Sequence, residues 1–455
     1  MAQQKYAPII GFSVVSLMLY GWIAYGIERS DFVMLITSFG MLFGIYYFLV
    51  RGFLQDRLEL KWGVALAVLF RVVLLLAIPN LSDDFYRFIW DGNLFASGIN
   101  PFLETPEFYK NQEALTSLGI SSAIFEGLNS SGYYTVYPPV CQYIFWLGAQ
   151  IFQDQIMGNI ILMRLFIMGA EIGTLFILKK LLERFNLNPV YVLVYALNPL
   201  VILELTGNLH FEGIMIFFLV AAYYFFLQKR YWPAAVLFLL AVNTKLIPLL
   251  LIPYLVFSLD WRKSAGLIAV LTAGTLLLHI PFLDQAFVSN FGDSLGLYFQ
   301  SFEFNASIYY LVRWVGYQVE GYNIIQQAGP YLAAISTVIM IGVSWRFKNK
   351  KLENLPYLYI GLLTIYYLFS TTVHPWYITT MIVFVPLSGM LYPLAWSALI
   401  PLTYATYLTS TYTENLWLVA LEYLIVFSVL GYEWYRGNWN PSVKLDRIFI
   451  NKQKA

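Results

Sequence analysis

A single cysteine, Cys141, excludes an internal disulfide and any cysteine-rich metal site, and leaves redox compartment unreadable. Histidine is almost as scarce: His210, His279 and His374 are the only three in the chain. No His-x-x-x-His spacing or carboxylate triad accompanies them, so a three-histidine metal centre has no helical pattern behind it. Charged residues make up 12% of the chain and nearly cancel, to a net +1, which leaves no basic footprint for a nucleic-acid partner. Repeats, low-complexity tracts and a linker to a separate soluble domain are also missing.

What is abundant is oil. Hydrophobic residues make up 59% and aromatics 18% of the 455 residues, and the mean hydropathy is +0.65. That is more apolar surface than a soluble domain can bury, and apolar runs of about 18 residues or more recur. The composition predicts an all-α, polytopic membrane protein. Spans are expected near 7–27, 32–50, 62–79, 158–178, 188–205, 209–227, a short pair within 232–258, 265–283, 328–345, 355–372, 376–390, 392–410 and 416–435, which makes about 13 crossings. The run from Ala7 to Tyr25 exceeds a signal-peptide core and shows no clear cleavage site, so it is expected to be a retained first span.

Lys and Arg cluster at Arg51/Arg57/Lys61, Lys179/Lys180/Arg184, Lys229/Arg230, Arg262/Lys263, Arg346/Lys348/Lys350/Lys351 and Arg436. The positive-inside rule puts these on the cytoplasmic face. Loop 80–137, the turn 206–213, the stretch 284–327 and the turn 372–376 then face outward. Segment 138–153 opens with Pro138-Pro139 and would reverse this charge pattern if it crossed fully, so it is expected to be a partial or surface helix feeding the next span. The expected organisation is 1–54, two N-terminal transmembrane helices; 55–290, a core with the external loop 80–137; 291–436, C-terminal transmembrane helices; and 437–455, a polar cytoplasmic tail.

Loop 80–137 is too long for a connector, and long ordered loops carry function. It begins Ser82-Asp-Asp-Phe-Tyr-Arg-Phe-Ile-Trp-Asp-Gly92 and closes with Tyr133-Tyr-Thr-Val-Tyr-Pro-Pro139. With Ser82 as a helix cap, Asp83 and Asp84 fall in a first turn, where the helix dipole favours negative charge. Arg87 and Asp91 follow on the same stripe, and Phe85, Phe88 and Ile89 occupy the other. The segment predicts an amphipathic helix lying at the membrane surface, its acids turned to water or a cavity.

Three more constellations sit at expected outer ends: Asn208-Leu-His210-Phe-Glu212; Lys245, between two short apolar halves; and His374-Pro-Trp376-Tyr377. Ionisable groups at membrane depth cost about 2.5–3.5 kcal/mol each on insertion scales, which makes them functional candidates. The bland readings are an aqueous rim for His210 and Glu212, snorkelling for Lys245, and an interfacial aromatic belt for the HPWY segment.

SDDFYRFIWDGNLFASGINPF followed by YTVYPPVCQYIFW resembles the first external loop of GT-C glycosyltransferases that use polyprenyl-phosphate sugars, the bacterial mannosyltransferase-like members above all. The blocks NPLVILELTGNLHFEG, NTKLIPLLLIPYL, FEFNASIYYLVRW and HPWY follow in the same order, so the likeness spans about residues 62–380. The resemblance implies an inverting transfer of a mannose-like hexose from a polyprenyl phosphate to a lipid or glycan acceptor, at the external face of the inner (plasma) membrane. It implies a catalytic aspartate at the start of the loop, matched by Asp83 or Asp84. Lys245, Arg313 and His374 are then candidates for the donor phosphate. Arg87, Asp91, Tyr137, Asn208, His210, Glu212, Trp376 and Tyr377 are candidates for substrate contact. No organic cofactor is implied, and a divalent cation, Mg or Mn, is compatible with such a reaction. The chain departs from larger members in lacking a C-terminal soluble domain and in carrying two extra spans before the acidic loop. A transporter or flippase of lipid-linked sugars is the alternative, but transporters tend to show matched broken helices in paired halves, and here the long acidic loop lies on one side only. A third reading, a non-enzymatic assembly subunit, would tolerate neutralisation of both aspartates.

Overall fold

A computed structural model describes residues 2–55, 59–409, 411–437 and 441–450; Arg57 and parts of the expected tail lie outside these. Among the described residues there are helices and no strands, only one isolated bridge between Phe304 and Thr372. Six helices are long and apolar enough to cross a membrane: Ala7–Gly26, Phe32–Gln55, Ile156–Arg184, Trp261–Phe282, Ile325–Phe347 and Leu416–Arg436. A pair bent by 55°, Pro189–Ala196 and Pro199–Gly207, makes a seventh if counted as one span.

The expected count of about 13 is therefore not reached, and the reason is local. Helix α3 (Leu60–Val73) follows α1 (Ala2–Gly26) and α2 (Phe32–Gln55) but stops after 14 residues. Its run unwinds where Arg164 takes the carbonyls of Leu75 (2.8 Å) and Ala77 (2.7 Å). Beyond Ala196, Pro199 cannot donate to the preceding turn, and the Asn198 side chain caps the new start by accepting from Leu200 N and Val201 N. The helix then widens to π geometry over Ile202–Gly207, a form that concentrates at functional sites. Prolines 375, 386, 393 and 401 likewise open short helical pieces after residue 374. Glu212–Leu227, at 16 residues, is almost wholly buried among its neighbours. At 1.5 Å per residue such pieces fall short of a 30 Å hydrocarbon layer.

One continuous apolar core runs from Tyr20 to Phe449 and includes the N-terminal pair; the Tyr46 hydroxyl, for example, donates to Val194 O at 2.8 Å. Two arginines lie fully buried in it. Arg71 pairs with Glu171 at 2.7 Å, and Thr206 donates to the other Glu171 oxygen. Arg164 instead donates to four carbonyls, adding Thr206 O and Gly207 O to those at the end of α3. Both arginines thereby fasten α3, Ile156–Arg184 and the π segment together. The end of the chain is no loose tail: Pro441–Ile450 is a helix with Leu445 and Phe449 buried, Lys444 on Glu433 at 2.7 Å and Asp446 accepting from Tyr191 Oη.

The turns near 184–190, 227–230, 254–261 and 347–354 meet at one end of the bundle, where Arg184 donates to Leu227 O, Tyr223 to Leu352 O and Tyr254 to Lys350 O. Most of the basic clusters are there. The turns at 29–31, 80–84, 244–246 and 370–376 gather at the opposite end.

A candidate active site beneath the long loop

Helix α4 (Asp84–Ala96) opens loop 80–137 as expected, but Asp83 rather than Ser82 stands at the cap position, with Ser82 Oγ accepting from Asp84 N at 3.3 Å. The helix does not lie on a surface. Phe85, Phe88, Ile89, Arg87 and Asp91 are all buried, because α4 packs directly on helix Pro139–Phe152. A Cβ added at Gly92 would meet Phe145 O at 2.4 Å, so only glycine allows this approach. Phe88 stacks on Phe145 with centroids 4.8 Å apart. Pro139–Phe152 itself has 14 residues, about 21 Å of helix, too short for a span, and is followed after a tight turn by Ile156–Arg184.

Arg87 and Asp91 form a buried i,i+4 pair at 2.7 Å. Asp91 also accepts from Thr135 Oγ1 (2.5 Å) and Gln142 Nε2 (3.0 Å), while Arg87 Nη1 donates to Ser130 O and Tyr133 O. The pair thus pins the returning limb of the loop onto α4 and sets Tyr137 in place. Arg87 Nη2 is left buried without a hydrogen-bond partner.

These elements enclose a cavity of about 680 Å³, within the range of small-molecule sites. Asp83, Asp84, Arg87, Tyr137, Lys245, His374, Trp376 and Tyr377 line it. Asp83 is held by Arg29 at 2.6 Å. Asp84 accepts long hydrogen bonds, 3.4 Å each, from Asn129 Nδ2 and Tyr137 Oη. Burial raises the Asp84 pKa above the ordinary carboxylate value, and the Lys245 charge offsets part of that rise. Lys245 sits in the break between Tyr231–Val242 and Ile247–Leu251, as its flanking sequence predicts. It does not snorkel: Nζ is 3.2 Å from Glu212 Oε1, lies over the Tyr137 ring at 5.1 Å, and the side chain keeps 22% exposure toward the cavity.

Glu212 and His210 do not face an aqueous rim; both are buried behind the lining. His210 stacks on Trp376 (3.8 Å), which stacks on His374 (4.4 Å), a three-ring pile at the cavity wall. Burial, with Lys245 adding to it, lowers the His374 pKa to about 3, so this imidazole is neutral at pH 7. Asn208 is also behind the wall; it donates to Glu204 Oε2 at 3.2 Å and accepts from Leu81 N, and Glu204 accepts from Tyr404 Oη at 2.6 Å.

Arg313 does not line the cavity. It is paired with Glu303 and lies over the Tyr310 ring at 4.2 Å, and Glu303 is the member of this pair at the cavity wall. Arg29, Asn129, Tyr298 and Tyr407 line the cavity although no motif announced them. For Arg29 a signal existed: it is the one basic residue in the short turn between the first two apolar runs, on the side where charge counting expects few. Among the described residues no three His, Cys, Asp or Glu side chains converge as a metal-binding group.

A helical membrane protein that holds a paired-acid, lysine- and aromatic-lined cavity beneath an ordered loop has the furnishings of a membrane glycosyltransferase: carboxylates for a hydroxyl proton, a cation for a leaving phosphate, rings for sugar faces. Residues 9–260 match the family described as "Alpha-(1->6)-mannopyranosyltransferase, N-terminal domain", more than half of the chain, and the protein belongs to that family. It is a mannosyltransferase of GT-C-like type. No curated relative matches the chain.

Proposed function

We propose that the protein transfers mannose from a polyprenyl phosphate to a hydroxyl of a lipid or glycan acceptor, at the external face of the inner membrane. The observation that carries this reading is the convergence of Asp83, Asp84 and Lys245 on one cavity at the end of the bundle away from most of the basic clusters. Lys245 takes the donor phosphate as a point charge, with the unpartnered Nη2 of Arg87 and the neutral His374 as hydrogen-bond donors. Trp376, Tyr137 and Tyr377 supply faces and edges for the sugar. Arg313, engaged by Glu303, has no part in this assignment.

The acceptor oxygen attacks the anomeric carbon while the bond from that carbon to the phosphate oxygen breaks, its electron pair leaving on the phosphate. Asp84 takes the hydroxyl proton; its raised pKa makes it the better base of the two. Asp83, ionised against Arg29, orients the incoming hydroxyl. One displacement inverts the centre, so an alpha linkage of the kind the family is named for requires a beta-linked donor. No step is routed through Mg or Mn, because Asp83 is spent on Arg29 and Asp84 is directed at Asn129 and Tyr137.

The test is transfer by purified protein from polyprenyl-phosphate mannose to alkyl mannosides. Asp84→Asn is expected to lower kcat by about 100-fold or more, the usual scale for a general base, with an unchanged detergent melting curve. Full turnover in Asp83→Asn, Asp84→Asn and the double variant would remove the enzymatic role of this loop.

A further inference from the structure

A second cavity, about 450 Å³, adjoins the first and is lined by Glu28, Arg29, Ser30, Asn80, Asp83, Tyr407, Leu408, Thr409 and Tyr412. Arg29, Asp83 and Tyr407 line both. The wall between the compartments is therefore the Arg29–Asp83 ion pair (2.6 Å), with the Arg29 guanidinium lying 4.8 Å over the Tyr407 ring. Tyr407 in turn meets Tyr412 edge-on at 5.7 Å.

The two compartments differ in charge. Lys245 and Arg87 line the first only, whereas the second sets one arginine, already paired, against two carboxylates, Glu28 and Asp83. A phosphate is repelled there. A neutral polyol is suited to it: serine and threonine hydroxyls and a carboxylate for hydrogen bonds, with tyrosine rings for the apolar faces of a sugar. Tyr412 is 58% exposed and held at φ 48°, a conformation that costs a non-glycine residue about 1–2 kcal/mol and keeps the ring beside this opening.

We infer that the second compartment is the acceptor subsite, taking the neutral carbohydrate end of the acceptor and passing its hydroxyl over Asp83 to Asp84. This rests on the proposed transfer reaction, which needs two substrates to meet from different directions at one carboxylate pair. Arg29 is a positioning residue in this scheme, since it acts by holding Asp83.

The test measures binding, apart from turnover, on the full-length protein in detergent. Calorimetry would be run with octyl α-mannobioside as the acceptor probe and farnesyl phosphate as the donor probe, on wild type, Ser30→Trp and Tyr412→Ala. Ser30 and Tyr412 are exposed, so both variants are expected to fold; a melting curve checks this. Ser30→Trp, which fills the compartment, and Tyr412→Ala, which removes its ring, are each expected to weaken mannobioside binding at least tenfold while farnesyl phosphate binds as in wild type. Unchanged mannobioside affinity in Ser30→Trp overturns the inference, and so does an equal loss for both probes. Failure of wild type to bind farnesyl phosphate would instead refute the donor assignment of the first cavity and leave the mannobioside comparison standing.

Discussion

Lys245 offers the sharpest quantitative test, provided its partner is changed with it. Lys245→Met alone leaves Glu212, 3% exposed, as a buried carboxylate without its counter-ion. Breaking such a pair costs about 3–5 kcal/mol of stability, enough to blur any binding measurement. The informative comparison is Glu212→Gln against the double variant Lys245→Met/Glu212→Gln, in which no carboxylate is stranded. A hydrogen-bonded contact between a charged side chain and a phosphate is worth about 1.5–3 kcal/mol, or roughly 10- to 150-fold in Kd at 1.4 kcal/mol per decade. The side chain is only 22% exposed, so little of this is lost to solvent screening. Isothermal calorimetry with a non-transferable phosphonate analogue of the donor reads the difference directly. If the double variant binds the analogue as tightly as Glu212→Gln, Lys245 holds no phosphate, and its ammonium serves only to neutralise Glu212 and cover Tyr137.

The pH profile follows from the sign of the Asp84 shift. A base must be ionised, so activity is present above its pKa and falls as pH drops through it; with that pKa raised by burial, the acid limb of kcat/KM is expected above pH 4, the ordinary range for aspartate. Because the Lys245 charge holds the value down, Lys245→Met/Glu212→Gln should move the limb further up, and a limb at or below pH 4 in wild type would remove Asp84 as the base. Sidedness is checked by thiol labelling on a Cys141→Ser background, since native Cys141 is buried. A cysteine at exposed Asn111 should react with an impermeant reagent from outside and one at exposed Asn349 should not; the reverse pattern would put the cavity in the cytoplasm.

Composition and periodicity settle the class of this protein because apolar content is a property summed over the chain: no arrangement of these residues makes a soluble fold. The acidic helix start, the lysine between short apolar halves and the HPWY segment were also legible, since a charge or a break inside oil is costly and therefore conspicuous. Two matters were decided only by tertiary packing. The number of full spans depends on where helices stop, and α3 stops because Arg164, 89 residues from Leu75 in the chain, takes its terminal carbonyls. The division of labour within the site depends on which partner reaches a charge first. Arg87 reaches Asp91 and two loop carbonyls, and Arg313 reaches Glu303. Arg29, separated by 54 residues from Asp83, closes the wall between two compartments. Such pairings join positions far apart in sequence through contacts a few ångströms long, and no local pattern of residue types specifies them.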